Sequence, residues 1–178
     1  MTYHITARGN RGEPIFADDF DRRRFLGFLA KVVENFNWAC HAYCLLTTHY
    51  HLVITTNDAN IGSGMHLLNG RYAQSFNRRH GVSGHVFEDR YYSVVVERNT
   101  HLFELIRYVA LNPVRAGLCG TAEDWEWSSY AYTLGLRTCP SFLSTDFVLD
   151  CFAPDHAHAA KRLAAFVRAG QNRLPAAA

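Results

Sequence analysis

The chain has 178 residues, a length that suits one domain with a full hydrophobic core. Its formal net charge of +2 is too small to announce a nucleic-acid partner unaided. No apolar run approaches the roughly 18 residues needed to cross a bilayer, and no secretory leader precedes the first strand, so a cytoplasmic, membrane-free protein is expected.

Thr2 to Arg8 alternates and predicts a first strand, closed by the turn Gly9-Asn10-Arg11-Gly12. Asp18 or Asp19 opens a helix with Phe25, Leu26, Leu29, Val32, Val33 and Phe36 on its buried side. Trp38 to Leu46 and His49 to Thr55 read as two strands joined by the short Thr47-Thr48 link, an antiparallel hairpin. Gly62 to His80 reads as a second helix, with Met65, Leu68, Tyr72 and Phe76 inward and Arg71, Arg78 and Arg79 outward. A Gly-rich loop leads to a fourth strand over Tyr91 to Val96. The next helix is capped by Thr100 and ended or kinked by Pro113. In the tail, Trp125, Trp127, Tyr130 and Tyr132 precede one or two helices ending near Ala169, with disorder expected over 174–178. The five cysteines, Cys40, Cys44, Cys119, Cys139 and Cys151, are odd in number and scattered. They read as reduced, mostly buried thiols rather than as a zinc site at Cys40, His41 and Cys44.

The order β-α-β-β-α-β is that of a ferredoxin-like split βαβ fold, an α+β architecture with an antiparallel sheet. Helices on one face of such a sheet would leave the other open for a ligand.

On the third strand, His49 and His51 share one face while Tyr50, Leu52 and Ile54 turn into a core. Their Cα atoms would lie about 6.6 Å apart, a span that two imidazoles can close around one divalent ion. With ten histidines in the chain, a His-x-His pair also arises by chance, as two surface residues. In the helix after the fourth strand, Leu102, Leu105, Ile106 and Val109 form an apolar stripe. Glu104, Tyr108 and Asn112 follow one another at spacings of four on the flank away from it. Tyr108 therefore has a hydroxyl free to act, with Asn112 one turn on as an oxygen ligand; an amphipathic helix with a surface tyrosine is the plainer alternative.

Sixteen Arg stand against two Lys, and residues 71–115 hold seven Arg and four acidic residues. Arg suits bidentate phosphate contacts and stacking on bases, although a GC-rich genome also favours it. The excess near the candidate site points mildly to an anionic ligand.

These features together resemble the HUH single-strand transposases, and most closely the REP-associated tyrosine transposases. The likeness is carried by Arg8-Gly9-Asn10, His49-Tyr50-His51, Arg90-Tyr91-Tyr92, the run Tyr108 to Leu118 and the coda Trp125-Glu126-Trp127-Ser128-Ser129-Tyr130, in that order. Two stretches depart from the family pattern: Thr47-Thr48 stands where Pro-Asn is frequent, and Phe87-Glu88 where Trp-Gln is frequent. The resemblance implies that His49, His51 and Asn112 hold Mg²⁺ or Mn²⁺. It also implies that Tyr108 attacks a phosphodiester, releases a 3′-hydroxyl and stays bound as a 5′-phosphotyrosine. The implied substrate is single-stranded DNA beside a hairpin, acted on by a monomer or a homodimer. Arg8, Arg71, Arg78, Arg90 and Arg115 are candidates for phosphate contact, and Tyr91 or Tyr92 for base stacking. Residues 1–118 would form the catalytic domain and 119–178 a helical extension packed on it. The tail aromatics read as core. Two rival classes remain: a metal-dependent hydrolase using water, for which no further ligands at workable spacings stand out although Asp58 and His66 lie nearby in sequence, and a domesticated hairpin-binding protein that does not cut.

Overall fold

The computed structural model describes residues 1–97 and 100–172. In chain order it contains β1 (Thr2–Arg8), α1 (Asp19–Asn35), β2 (Trp38–Leu45), β3 (His49–Thr56), α2 (Ile61–His80), β4 (Tyr92–Val95) and α3 (Thr100–Arg115). Three further helices follow: α4 (Tyr130–Thr133), α5 (Asp146–Leu149) and α6 (His156–Gln171). The strands form one sheet in the order β2-β3-β1-β4, with every neighbour antiparallel. This is the expected α+β split βαβ arrangement. The expected Thr100 cap and the expected disorder over 174–178 concern groups outside the described residues. No helix among the described residues is long and apolar enough to cross a membrane.

Local chemistry sets these boundaries. The Asp18 carboxylate accepts a hydrogen bond from the Asp21 N–H at 3.1 Å and opens α1. Gly81, at φ 64°, closes α2 in the left-handed conformation that favours glycine. The Thr47-Thr48 link closes the hairpin, with the Leu46 N–H donating to the His49 carbonyl at 2.9 Å.

Alternation along the strands builds two separate apolar layers. Ile5, Tyr50, Leu52 and Ile54 meet Phe25 and Leu29 of α1 and Leu68 and Tyr72 of α2. On the other side Ala42, Cys44 and Val53 meet Leu102, Leu105, Ile106 and Val109 of α3, with Leu163 and Val167 of α6 behind them. Helices therefore cover both faces, and the second face is not left open as expected. The apolar stripe of α3 has to be buried somewhere, and Val53 with its neighbours supplies the matching surface. Toward β4 that face is bare, and Tyr92 is 68 % exposed.

Pro113 neither ends α3 nor stops it at the preceding residue, since the helix runs on to Arg115. Proline removes one N–H, but the last turn is held without it. The Ala116 N–H donates to Asn112, Gly117 to Val114 and Leu118 to Pro113, a Schellman closure over Gly117 at φ 67°.

The Trp-x-Trp coda has a structural role. The Leu45 N–H donates to the Trp127 carbonyl at 2.8 Å, Ser129 N–H donates to Tyr43 at 2.9 Å, and the Trp125 indole donates to Leu45 at 3.1 Å. Residues 125–129 thus run along the outer edge of β2 and satisfy backbone groups that an edge strand would leave open. The guanidinium of the buried Arg22 lies 5.7 Å from each of the Phe16, Trp125 and Trp127 rings, tying this segment to α1. No disulfide joins the five cysteines among the described residues; Cys40 and Cys44 are buried, while Cys139 is exposed.

One close approach invites a stability test. A Cβ on Gly64 of α2 would stand 2.2 Å from the Trp38 ring, whose Nε1–H donates to Asn60 Oδ1 at 2.7 Å. Gly64→Ala must displace that indole, so a loss of about 1–3 kcal/mol is expected, read as a lower urea midpoint. An unchanged midpoint would show that Trp38 shifts freely.

Candidate nucleophile and metal centre

Strand register assembles the site. Thr6 of β1 stands opposite His51, Arg8 opposite His49 and His4 opposite Val53, so His4, Thr6 and Arg8 share the face of the histidine pair. The His4 and His51 rings stack with centroids 5.2 Å apart, and His4 Nε2 lies 3.0 Å from His51 Nδ1, one nitrogen donating to the other. His49 stands edge-on to His51 at 5.1 Å, and its Nδ1 is 3.1 Å from the Thr48 hydroxyl.

The other nitrogen of His51, Nε2, is buried and has no hydrogen-bond partner among the described residues. An orphaned buried polar atom costs about 1–3 kcal/mol unless something pairs with it. Burial, with the adjacent His4 and His49 rings, pulls the His51 pKa down to about 3. Burial, then His101, holds His4 at about 4, and burial with the Arg8 charge lowers His49. His4 and His51 are thus neutral at physiological pH, as metal-binding imidazoles must be.

Tyr108 approaches this cluster from α3. It is 38 % exposed, and its ring stands edge-on to His51 at 5.5 Å and to His4 at 6.4 Å. The Arg115 guanidinium folds back over the same ring at 5.2 Å. Asn112, buried one turn further on, donates its side-chain N–H to the Tyr108 carbonyl at 3.0 Å, which turns its amide oxygen away from that bond. No hydrogen bond joins Asn112 to His49 or His51 among the described residues.

A divalent cation fits the chemistry of this cluster on the strength of the orphaned His51 nitrogen. No group of three His, Cys, Asp or Glu side chains is placed to hold a metal ion by itself among the described residues. Oxygen donors such as Asn112, water or substrate would have to complete the shell, and two imidazoles suit Mn²⁺ better than Mg²⁺. His66 lies on α2, facing the groove described next rather than the histidine pair, and supplies no third ligand.

Of the seven candidate DNA contacts, Arg8 and Arg115 gather at this site. Arg90 and Tyr91 instead line a groove of about 660 Å³ against Gly62, His66 and Asn69 of α2. Arg71 and Arg78 are exposed on α2, in the opposite layer. The exposed aromatic on the histidine face is Tyr92, whose register partner Thr6 is itself opposite His51. Sequence reasoning passed over His4. Its signal was phase: with Ile5 and Ala7 in the core, His4 had to face the other way.

The fold is similar to that of solved proteins. The structure titled as a REP-associated tyrosine transposase bound to a REP hairpin matches with a TM-score of 0.63 at 16% identity, covering 80% of this chain and 84% of that one. A crystal structure of a putative transposase from Deinococcus radiodurans R1 matches at 15% identity and a TM-score of 0.47, covering 60% of this chain and 85% of that one. No curated protein matches the chain by sequence. Residues 1–112, a stretch that includes His4, His49, His51, Tyr108 and Asn112, match the family described as Transposase IS200 like. The chain belongs to that family of IS200-like transposases.

Proposed function

We propose that this protein cuts and rejoins single-stranded DNA beside a hairpin through a covalent bond to Tyr108. The observation that carries this reading is a half-exposed tyrosine held edge-on, at 5.5 Å, to a buried histidine with an unused nitrogen. The phenolic oxygen attacks a backbone phosphorus, and the bond from that phosphorus to the 3′-oxygen breaks. The phenol loses its proton, the departing 3′-oxygen gains one, and the downstream strand stays attached as a 5′-phosphotyrosine. Because one phosphodiester replaces another, the reverse attack by a 3′-hydroxyl reseals a strand without ATP.

Each side chain has a distinct task. His4 fixes the ring orientation of His51 through Nδ1 and leaves Nε2 facing the site. His49, His51 and Asn112 would hold a divalent cation, Mn²⁺ or Mg²⁺, which when bound supplies Lewis-acid polarisation of the phosphate. Arg115 and Arg8 bring positive charge to the phosphate, and Arg115 restrains the Tyr108 ring. Tyr92 offers an exposed ring on the same face for a flanking base. The REP hairpin bound in the structurally similar transposase makes hairpin DNA the substrate to test first.

Purified protein, Mn²⁺ and a hairpin-bearing single strand labelled on the 3′ side of the cut should yield a denaturation-resistant protein–DNA adduct, and excess EDTA should abolish it. Soluble product without an adduct would favour water as the nucleophile, and binding without cleavage a non-cutting DNA-binding protein. Asn112→Ala should slow adduct formation by roughly tenfold, less than loss of a histidine, because water can replace an amide oxygen in the shell. Wild-type rate and wild-type Mn²⁺ affinity in that variant would remove Asn112 from the ligand set.

A further inference from the structure

The sides of α1 and α2 turned away from the sheet carry a second concentration of charge. Arg23, Arg24 and Lys31 border a depression of about 400 Å³, and Lys31 and Arg71 border another of about 280 Å³. Phe28 and Lys31 belong to both, so the two form one furrow, and no acidic residue lines either. From Ile61 to His80, α2 contains no Asp or Glu, and α1 keeps its acids near its ends as Asp19, Asp21 and Glu34.

Neighbouring cations are neutralised within the fold. Arg79 is paired with Asp18 at 2.6 Å and Asp21 at 2.7 Å, and Arg22 with Asp19 at 3.3 Å. Arg23, Arg24, Lys31 and Arg71 form no ion pair among the described residues. Four exposed like charges repel one another, and no ion pair among the described residues offsets that repulsion. Two of them are nevertheless held in place: Arg24 Nε–H donates to Ser75 Oγ at 3.3 Å with its guanidinium 5.4 Å from the Phe28 ring, and Arg23 lies 5.9 Å from the Trp127 ring.

Size and chemistry select the ligand. Seven residues separate Arg24 from Lys31, about 10 Å along the helix axis, and α2 adds a further 8–10 Å or so across. That area spans several phosphates of a duplex, which carries one charge per roughly 1.7 Å of axis. A single strand would also want aromatic faces to stack on. Here each ring already has a guanidinium over it, Arg24 over Phe28 and Arg79 over Phe20 at 4.6 Å, and only Phe20 stays about half exposed. What remains is charge without base-reading groups.

We infer that the outer face of α1 and α2 is a sequence-independent docking surface for the phosphate backbone of duplex DNA, on the side of the sheet opposite Tyr108. Calling that duplex a hairpin stem rests on the proposed function; the docking surface itself does not. A hairpin-bearing substrate would then be held by its paired part on one layer and presented to the nucleophile on the other.

The test uses a blunt duplex of arbitrary sequence, titrated between about 50 and 200 mM salt, where backbone binding changes steeply. Wild type is compared with an Arg24→Gln, Lys31→Gln, Arg71→Gln triple variant and with Lys161→Glu, a charge change on exposed α6 in the other layer. The triple variant should lose at least about tenfold in affinity at the lowest salt, with a log–log salt slope shallower by roughly 2–3. Lys161→Glu should behave as wild type. An unchanged slope in the triple variant, or an equal loss in Lys161→Glu, would overturn the inference. So would an equal loss of binding to anionic lipid vesicles, which would make the face a membrane contact. The blunt duplex offers no single strand to cut, so failure of the Tyr108 chemistry leaves this result standing, and an unchanged slope leaves adduct formation standing.

Discussion

Tyr108→Phe should abolish the covalent adduct while leaving the fold and DNA binding intact. The substitution removes one oxygen from a ring that is 38 % exposed, so no buried group loses a partner and stability should change by less than about 0.5 kcal/mol. The edge-on contacts to His51 and His4 and the Arg115 stack depend on the ring and survive in phenylalanine. Loss of a covalent nucleophile costs roughly 10⁴-fold or more, so the slow band on a denaturing gel should disappear. A native-gel shift with the same hairpin strand should persist. If the adduct persists in the variant, Tyr92 becomes the first alternative, since it is the other exposed tyrosine on the histidine face. Tyr91 lines the groove beside α2 and faces away from the candidate site.

His51→Ala should have an effect of similar size through a different route. It removes the buried nitrogen that lacks a partner and, with it, the deepest of the proposed metal ligands. Mn²⁺ affinity, measured by calorimetry on the protein without DNA, should fall by roughly 100-fold or more, and adduct formation should fall with it. Thermal stability should suffer less than truncation of an ordinary buried side chain. The cavity is a cost, but relief of an unsatisfied nitrogen offsets part of it, leaving a loss of about 1–2 kcal/mol. Retention of wild-type Mn²⁺ affinity would sink the metal assignment even if activity were lost. A variant that fails to fold is distinguished by circular dichroism, and His51→Gln then keeps the volume while removing the imidazole.

Strand identities and the histidine pair were legible because a period of two is a strong signal in short segments. The same logic located the α3 stripe and placed Tyr108 off it. That the Tyr108 helix must swing across to meet the histidines was legible, but the extent of the cover was not, because nothing local to β3 states that α6 stands behind α3 over Val53 and Cys44. The end expected at Pro113 falls two residues later, at Arg115, because the proline costs one N–H while the turn around it is held by Gly117 and Leu118. His4 depended on register: its phase was readable, but its contact with His51 required β1 to sit beside β3. Tyr91 was ranked with Tyr92 for stacking, and only the pairing of Tyr92 with Thr6 assigns each ring its side of the sheet.

The coda along β2 has a consequence for when this protein becomes whole. Residues 125–129 close the β2 edge, and Leu163 and Val167 of α6 complete the layer over α3. During synthesis the histidines of β3 emerge before these later pieces are made, and Tyr108 emerges while residues 125–129 are still inside the ribosome and α6 is not yet complete. The nascent sheet then has an unpaired flank, and the growing chain exposes an apolar surface that its own later residues must cover. A ribosome that stalls before Trp125 would therefore release an aggregation-prone fragment rather than a folded domain. Because the closing segment is made late in translation, the fold around the histidines and Tyr108 depends on residues that follow them.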